Sequence, residues 1–115
     1  MNEGKVEILI RNAREYFSDG EYTLEKGSYN SALVLFFKSL VSLIDLYILN
    51  QTGNTPSSHT ARFSIVRDKF PEVYDILDKD FPFYQNSYVQ NISKELTEVV
   101  KEDAKLMAEK VEVKL

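Results

Sequence analysis

The residue best suited to acid–base chemistry in this sequence is its single histidine, His59. Because it follows Ser57 and Ser58, a serine nucleophile with a histidine base is the first arrangement to consider. That chemistry requires the serine to face the imidazole in space, and adjacency in the chain does not provide this geometry. The stretch has the composition of a helix start, so we expect His59 to bond to loop backbone there.

Metal chemistry has few available ligands in this chain. There is one histidine and no cysteine, whereas metal sites in helical bundles need histidine, cysteine or clustered carboxylates at helical spacing. The Glu-x-x-His pair of di-iron bundles is missing, and Glu102 and Asp103 are adjacent and therefore point apart. The four glycines are scattered and form no phosphate-binding loop. The sequence predicts no metal site, no cofactor and no catalytic residue.

Polar side chains at helical spacing supply the candidates for ligand binding. Lys38, Ser42 and Asp45 fall on one stripe of an otherwise apolar run. Two tyrosines, four residues apart, flank a polar segment further along the chain and are typical of a pocket lining. We predict the ligand-binding residues to be Lys38, Asp45, Tyr84, Asn86, Tyr88 and Asn91.

The composition is that of one small, well-packed domain. The chain has 115 residues, of which 43% are hydrophobic, so residues 1–115 are long and apolar enough to form a single core. The formal charge of −4 disfavours non-specific nucleic-acid binding, which requires a basic face. The lack of cysteine and of signal-peptide features in residues 1–5 fits a cytoplasmic protein.

The element that must position these residues is a helix centred on residues 32–49, which read ALVLFFKSLVSLIDLYIL. A helix that is apolar on almost every side must be buried on every side. Its length is at the lower limit for a bilayer crossing, and Lys38 and Asp45 would be costly in lipid. We therefore predict a central bundle helix over residues 29–50 and no membrane contact.

Amphipathic segments on both sides of this helix are expected to cover it. Apolar residues recur at three- and four-residue steps, and glycine, proline and serine mark the ends. Residues 80–91 contain Pro82 and are expected to be irregular or partly helical. The sequence thus predicts an all-α fold, an antiparallel four- or five-helix up-and-down bundle. The further helices are predicted over residues 5–26, 58–69, 71–79 and 93–111.

Four single residues carry further structural expectations. Gly27 is expected to end the first helix and Ser28 to cap the second. Gly20 interrupts the apolar pattern of the first helix, which indicates a close helix crossing. Asp103 lies on the inner face of the last helix, between Val100 and Met107 in the apolar stripe.

Because the second helix has almost no polar side, either the first and last helices or a second copy of the protein must cover it, and we predict a homodimer.

Several short motifs follow one another in a recognisable order along nearly the whole chain. They are Ala13 to Tyr16, Gly27 to Ala32, Lys38 to Leu40, Gly53 with Pro56 and His59, and Tyr84 to Tyr88 before a charged last helix. They include a Gly-x-Tyr-x-x-Ala turn and a Pro…His helix start. This order resembles the HEPN family of small α-helical domains, which are often homodimeric.

The resemblance implies one of two roles. Some HEPN members are metal-independent ribonuclease toxins that use an Arg, four to six intervening residues and a His near the start of the last long helix. Others lack this motif and act as binding or partner domains, often beside a nucleotidyltransferase. Here the corresponding stretch offers Asn86 and Asn91, and asparagine neither titrates nor supplies a cation. No arginine upstream of His59 is close enough in sequence to complete the motif.

A second resemblance remains open. Residues 24–33, followed by Phe36 and Leu40, are also similar to one tetratricopeptide unit. Such units recur with a 34-residue period and about three are needed to bury a core, whereas this chain contains one.

Three functions follow from these patterns. The first is a non-catalytic HEPN-like binding domain for a protein partner such as a nucleotidyltransferase, or for a nucleotide-like ligand. The second is a divergent HEPN ribonuclease toxin, and the third is a tetratricopeptide-like adaptor. Whether the chain is an enzyme stays open, with binding favoured over catalysis.

Overall fold

The computed structural model describes residues 3–115, so the first two residues of the predicted domain lie outside the described part. Residues 3–115 form five α-helices and no strand. The predicted all-α up-and-down bundle is therefore confirmed. The helices are α1 (Glu3–Glu25), α2 (Tyr29–Thr52), α3 (His59–Lys69), α4 (Pro71–Asn86) and α5 (Lys94–Lys110).

α2 is the central helix of the bundle, as predicted. Phe36, Leu40 and Leu43 are completely buried, because α1 and α5 make the most extensive contacts with α2 while α4 packs against it as well. α2 is long and apolar enough to cross a bilayer by length and composition, yet 67% of its most apolar stretch is buried within the chain. The first and last helices therefore cover α2, and a second copy is not required for this purpose.

The turn between α1 and α2 is tight and depends on Gly27. This glycine has φ +82°, which is a left-handed conformation that glycine adopts without strain, as predicted for the end of the first helix. Ser28 is the N-cap residue of α2, as predicted, but its side chain makes no capping hydrogen bond. Ser58 and Ser93 do cap α3 and α5, by accepting hydrogen bonds from the backbone N–H groups of Ala61 and Leu96.

Gly20 marks the predicted close crossing of α1 over α2. A Cβ atom added at this position would lie 2.7 Å from Cε1 of Phe36. The Phe36 ring is completely buried and packs edge-to-face on Phe17, with 5.3 Å between ring centroids. The glycine is therefore required because only a hydrogen atom fits between the two helices.

α4 is longer than the sequence indicated. It continues through Pro82 to Asn86, so the predicted end at residue 79 is wrong. Residues 80–91 are partly helical, which is one of the two expected outcomes, because the helix covers residues 80–86 and ends before residue 87. Proline deprives the Asp78 carbonyl of its helical donor, but both residues are exposed, so water can reach this carbonyl. Phe81 and Tyr84 pack against Phe37 of α2, and this packing keeps the second half of the helix in place.

Candidate ligand-binding cleft

A cleft of about 520 Å³ opens on one side of the bundle, where α1, α2, α4 and the start of α3 meet. The loop between α2 and α3 brings Pro56 and Ser57 to its rim. Three of the six residues predicted to bind a ligand line it, which are Lys38, Asp45 and Tyr84. The full lining is Leu9, Asn12, Tyr16, Phe37, Lys38, Val41, Ser42, Asp45, Pro56, Ser57, Ser58, His59, Arg62 and Tyr84.

The polar stripe of α2 forms one wall of the cleft, which confirms that Lys38, Ser42 and Asp45 share a helix face. The Ser42 hydroxyl donates to the backbone carbonyl of Leu9 on α1, at 2.8 Å. The Lys38 Nζ lies 5.8 Å from the centroid of the Tyr16 ring, close enough for a cation–π contact. Lys38 is exposed, so its charge is available to a molecule in the cleft.

Asp45 is held by a two-point ion pair with Arg62 of α3. The Arg62 Nε and Nη2 groups donate to the two carboxylate oxygens at 2.7 and 2.9 Å. The side chains of Arg62 and Asp45 are only 10% and 14% exposed. Planar, two-point pairing of this kind is strong and directional, so it fixes the start of α3 against α2.

His59 bonds to Arg62, whereas the sequence led us to expect a bond to loop backbone. Arg62 Nη1 donates to His59 Nδ1 at 2.9 Å. Arginine has no acceptor, so His59 Nδ1 carries the lone pair and a neutral ring has its proton on Nε2. Partial burial of the exposed ring and the neighbouring Arg62 charge lower the pKa of His59, against an opposing effect of Asp45. At neutral pH His59 therefore presents an N–H donor at Nε2.

A second wall of the cleft is aromatic and is formed by side chains of α2 and α4. Tyr84 stacks on Phe37, with 4.6 Å between ring centroids and 15° between ring planes. Its hydroxyl bonds to that of Tyr88 at 2.9 Å, so Tyr88 is joined to the cleft although it does not line it. This hydrogen bond, together with burial, raises the pKa of Tyr84. Tyr84 is therefore neutral at physiological pH.

The other two predicted ligand-binding residues lie away from the cleft. Asn86 is the exposed last residue of α4. Asn91 borders a separate hollow beside the α1–α2 turn. Asn30 of α2 holds the segment that includes Tyr88 and Asn91, because its amide donates to the carbonyls of residues 87 and 90 and accepts from the N–H of residue 92.

The role of Arg62 in this site was not predicted from the sequence. The available signals were the three-residue spacing from His59, which places the two side chains on one face of α3, and the lone acid Asp45 in an apolar helix, which requires a cation. Asp45 and Arg62 are 17 positions apart, and only the bundle geometry brings them together.

The lining of the cleft carries several hydrogen-bond donors. Its charged lining consists of Lys38, Arg62 and Asp45, which sum to one positive charge when His59 is neutral. Three of the five Arg62 N–H groups are used within the described chain, which leaves two donors in addition to His59 Nε2 and the Lys38 ammonium. The N-terminus of α3 adds the positive end of a helix dipole at the same rim.

Comparison with known proteins gives no information on this cleft. No protein-family model matches the chain, and no curated protein matches it at a significant level. Within residues 3–115 there is also no cluster of three or more histidine and acidic side chains that could hold a metal ion.

Proposed function

We propose that this chain is a HEPN-like binding domain whose cleft takes a small anionic, acceptor-rich ligand of the nucleotide type. The observation that carries the proposal is the set of donors on His59, Arg62 and Lys38 gathered in one cleft of a protein with a formal charge of −4. A locally positive cleft in an acidic protein concentrates anions at that place.

The two walls of the cleft suit the two halves of such a ligand. A phosphate would accept hydrogen bonds at the cationic end from Lys38 and from the start of α3. A planar ring would pack at the end where Tyr84 stacks on Phe37. The volume of about 520 Å³ falls within the range of pockets that hold small organic ligands.

The same geometry favours binding over base catalysis at His59. A general base needs a lone pair on the atom that faces its substrate, whereas the lone pair of His59 lies on Nδ1 and accepts from Arg62. The divergent ribonuclease is the second candidate, because a histidine and an arginine do meet in the cleft. Incubation of the purified protein with RNA, beside a His59→Ala variant, tests it: cleavage lost in that variant would support the ribonuclease.

The tetratricopeptide-like adaptor has less support. In such an array each helix pair stacks on the next and leaves an open face. Here α1 and α5 both pack on α2, and the bundle is closed around it. A protein partner such as a nucleotidyltransferase, and pairing with a second copy, remain proposals that rest on the HEPN resemblance.

Isothermal calorimetry with four probes tests the proposed ligand class. AMP carries both halves, inorganic phosphate and adenosine carry one half each, and a short RNA presents phosphodiesters. We expect AMP to bind more tightly than either half, and Lys38→Gln to weaken it about tenfold, which corresponds to roughly 1.4 kcal/mol.

Lys26 supplies a matched control for Lys38. It is also exposed and lies 5.7 Å from the centroid of a tyrosine ring, but it is on the α1–α2 turn away from the cleft. Lys26→Gln should leave AMP affinity unchanged. If none of the four probes releases or absorbs heat, the ligand proposal fails and only the protein-partner version is left.

A further inference from the structure

Asp80 of α4 is a carboxyl group inside the hydrophobic core. Val73, Leu77 and Asp80 recur at helical spacing on the inward face of α4, and all three are completely buried. On α5, Asp103 lies on the matching inward stripe beside Ala104 and is 9% exposed. Two acidic side chains therefore face each other across the contact between α4 and α5.

The surroundings of Asp80 do not suit an ionised carboxylate. Neither of its oxygens accepts a hydrogen bond from any donor in residues 3–115. The Lys79 ammonium lies 3.9 Å from Asp80 Oδ1, too far for a hydrogen bond, and only 2.8 Å from Asp103 Oδ2. Lys79 therefore neutralises Asp103, and a second negative charge on Asp80 would be buried without compensation.

The neighbouring helices supply no other charge that could compensate Asp80. α2 packs against both α4 and α5 and carries two charged residues, Lys38 and Asp45, which both lie in the cleft. On α3, Arg62 is bonded to Asp45. Arg67 pairs with Asp68 at the surface, and Lys69 is exposed. Of the charged groups on α4 and α5, Lys79 and Asp103 are the two whose charges act on the Asp80 carboxyl.

We propose that the Asp80 carboxyl group stays protonated in the folded protein at neutral pH and donates a hydrogen bond to the Asp103 carboxylate. This shared proton links α4 to α5, and alkaline pH breaks the link by removing the proton. A protonated carboxyl group is a donor, so the Asp80 hydroxyl finds an acceptor in the Asp103 carboxylate. The Lys79 ammonium pairs with the Asp103 carboxylate, and that carboxylate accepts a hydrogen bond from the protonated Asp80 carboxyl group. The charges of Lys79, Asp80 and Asp103 then sum to zero.

The electrostatic balance agrees with this geometry. Burial raises the pKa of Asp80 to about 9, and the hydrogen bond and charge of Asp103 act in the same direction, against a smaller lowering by Lys79. The negative charge of Asp103 disfavours ionisation of Asp80, so the proton stays on Asp80.

The link between Asp80 and Asp103 lies where the helical hydrogen bonding of α4 is weak. Pro82, two residues beyond Asp80, interrupts the hydrogen bonding of the helix. α5 contacts α4 much less extensively than it contacts α2. Tyr84 follows one helical turn later and lines the cleft, so release of the Asp80 proton would loosen the segment that carries the aromatic wall.

The sign of the pH dependence follows from the direction of the pKa shift. In the unfolded chain Asp80 ionises at an ordinary acidic pH, whereas the folded protein holds the proton up to a pH of about 9. Between these limits the folded state binds one more proton than the unfolded state. The folding equilibrium constant therefore falls as pH rises, by at most about tenfold per pH unit from this group.

Carbon-13 NMR of the aspartate carboxyl carbons tests the proposal on the wild-type chain. We expect the Asp80 signal to have the chemical shift of a neutral acid at pH 7 and to move to that of a carboxylate in the alkaline range. The amide signals of residues 81–86 should shift over the same pH range. An Asp80 signal that is already that of a carboxylate at pH 7 would overturn the proposal.

Urea unfolding of two variants provides an independent readout. Asp80→Asn retains an N–H donor toward Asp103 but cannot titrate, so its stability should fall less than that of the wild type between pH 6 and pH 9. Asp78→Asn removes an exposed acid from the same helix and should keep the wild-type slope. Equal slopes in the Asp80→Asn variant and the wild type would contradict a shared proton. If Asp80→Asn does not fold, the carbon-13 titration of the wild type still decides.

Discussion

Arg62 determines the chemistry of the cleft at the scale of single residues. It neutralises Asp45 through two hydrogen bonds, and its third fixes which nitrogen of His59 carries the proton. Lys38 and Asp45 could be proposed from the sequence because they are the only charges in an apolar helix. The partner of Asp45 could not, since residues 17 positions apart in two helices meet only through tertiary packing.

The protonation of His59 gives a prediction at this scale. We expect the pKa of His59 to lie below 6.5 in the wild type and to rise in Arg62→Met, because this change removes a cation and leaves Asp45, which acts in the opposite direction. The chain contains one histidine, so NMR titration of its ring signals measures this pKa without ambiguity.

Arg67→Met is the control for this titration, because Arg67 is on the same helix but pairs with Asp68 at the surface. It should leave the pKa of His59 unchanged. The lowered pKa also means that His59 contributes stability above pH 6.5 that is lost as pH falls through its folded-state pKa, and this contribution is small because the side chain is exposed. A His59 pKa that falls in Arg62→Met would contradict the proposed contact.

At the scale of elements, the periodicity of apolar residues predicted α1, α2 and α5. It failed in α4, where tertiary packing overrides the low helix propensity of proline. α1 and α5 have regular apolar stripes, α2 is apolar on almost every side, and the predicted positions of all three agree with the structure to within two residues at each end. α4 contains Pro82, which normally ends a helix. The rings of Phe81 and Tyr84 pack on Phe37 strongly enough to keep the chain helical beyond it.

The crossing of α1 over α2 gives the first prediction for an element. Gly20→Ala should destabilise the protein by about 1 kcal/mol, because overpacking against the buried Phe36 ring costs roughly 1–3 kcal/mol and improved helix propensity offsets up to about 1 kcal/mol. Gly4→Ala is the matched control, since it adds the same methyl group to α1 where nothing lies within 4 Å. Urea unfolding measures both variants. A Gly20→Ala protein as stable as Gly4→Ala would contradict the close crossing.

The segment between α4 and α5 gives the second prediction for an element. Asn30→Ala removes three hydrogen bonds that hold residues 87–92 and should cost about 2 kcal/mol of unfolding free energy. Amide hydrogen exchange in this segment should accelerate at the same time. Asn91→Ala removes an exposed asparagine from the segment itself and should change neither quantity. Equal behaviour of the two variants would show that Asn30 does not anchor the segment.

At the scale of the whole molecule, α2 organises both the core and the cleft. Its apolar faces are buried by α1, α4 and α5, and its single polar stripe is left to line the cleft. This division could be predicted from the sequence because the stripe interrupts an otherwise apolar helix. The contributions of α3 and α4 to the cleft could not, because they depend on the path of the loop between α2 and α3 and on the continuation of α4 past Pro82.

The assembly state is a prediction that rests on the HEPN resemblance alone, since α2 is already covered within one chain. If the chain is a HEPN-like dimer, its interface must use another surface. Sedimentation equilibrium should then give twice the mass of one chain at micromolar concentration. A mass equal to that of one chain over the whole concentration range would contradict the homodimer.

The most direct test of ligand binding in the cleft is the NMR spectrum of the His59 ring during titration with AMP. We expect its ring signals to shift in a saturable manner in the wild type and in Lys26→Gln, and to require about tenfold more AMP in Lys38→Gln. Ring signals that stay in place at millimolar AMP, or that respond equally in the two lysine variants, would contradict the proposed site.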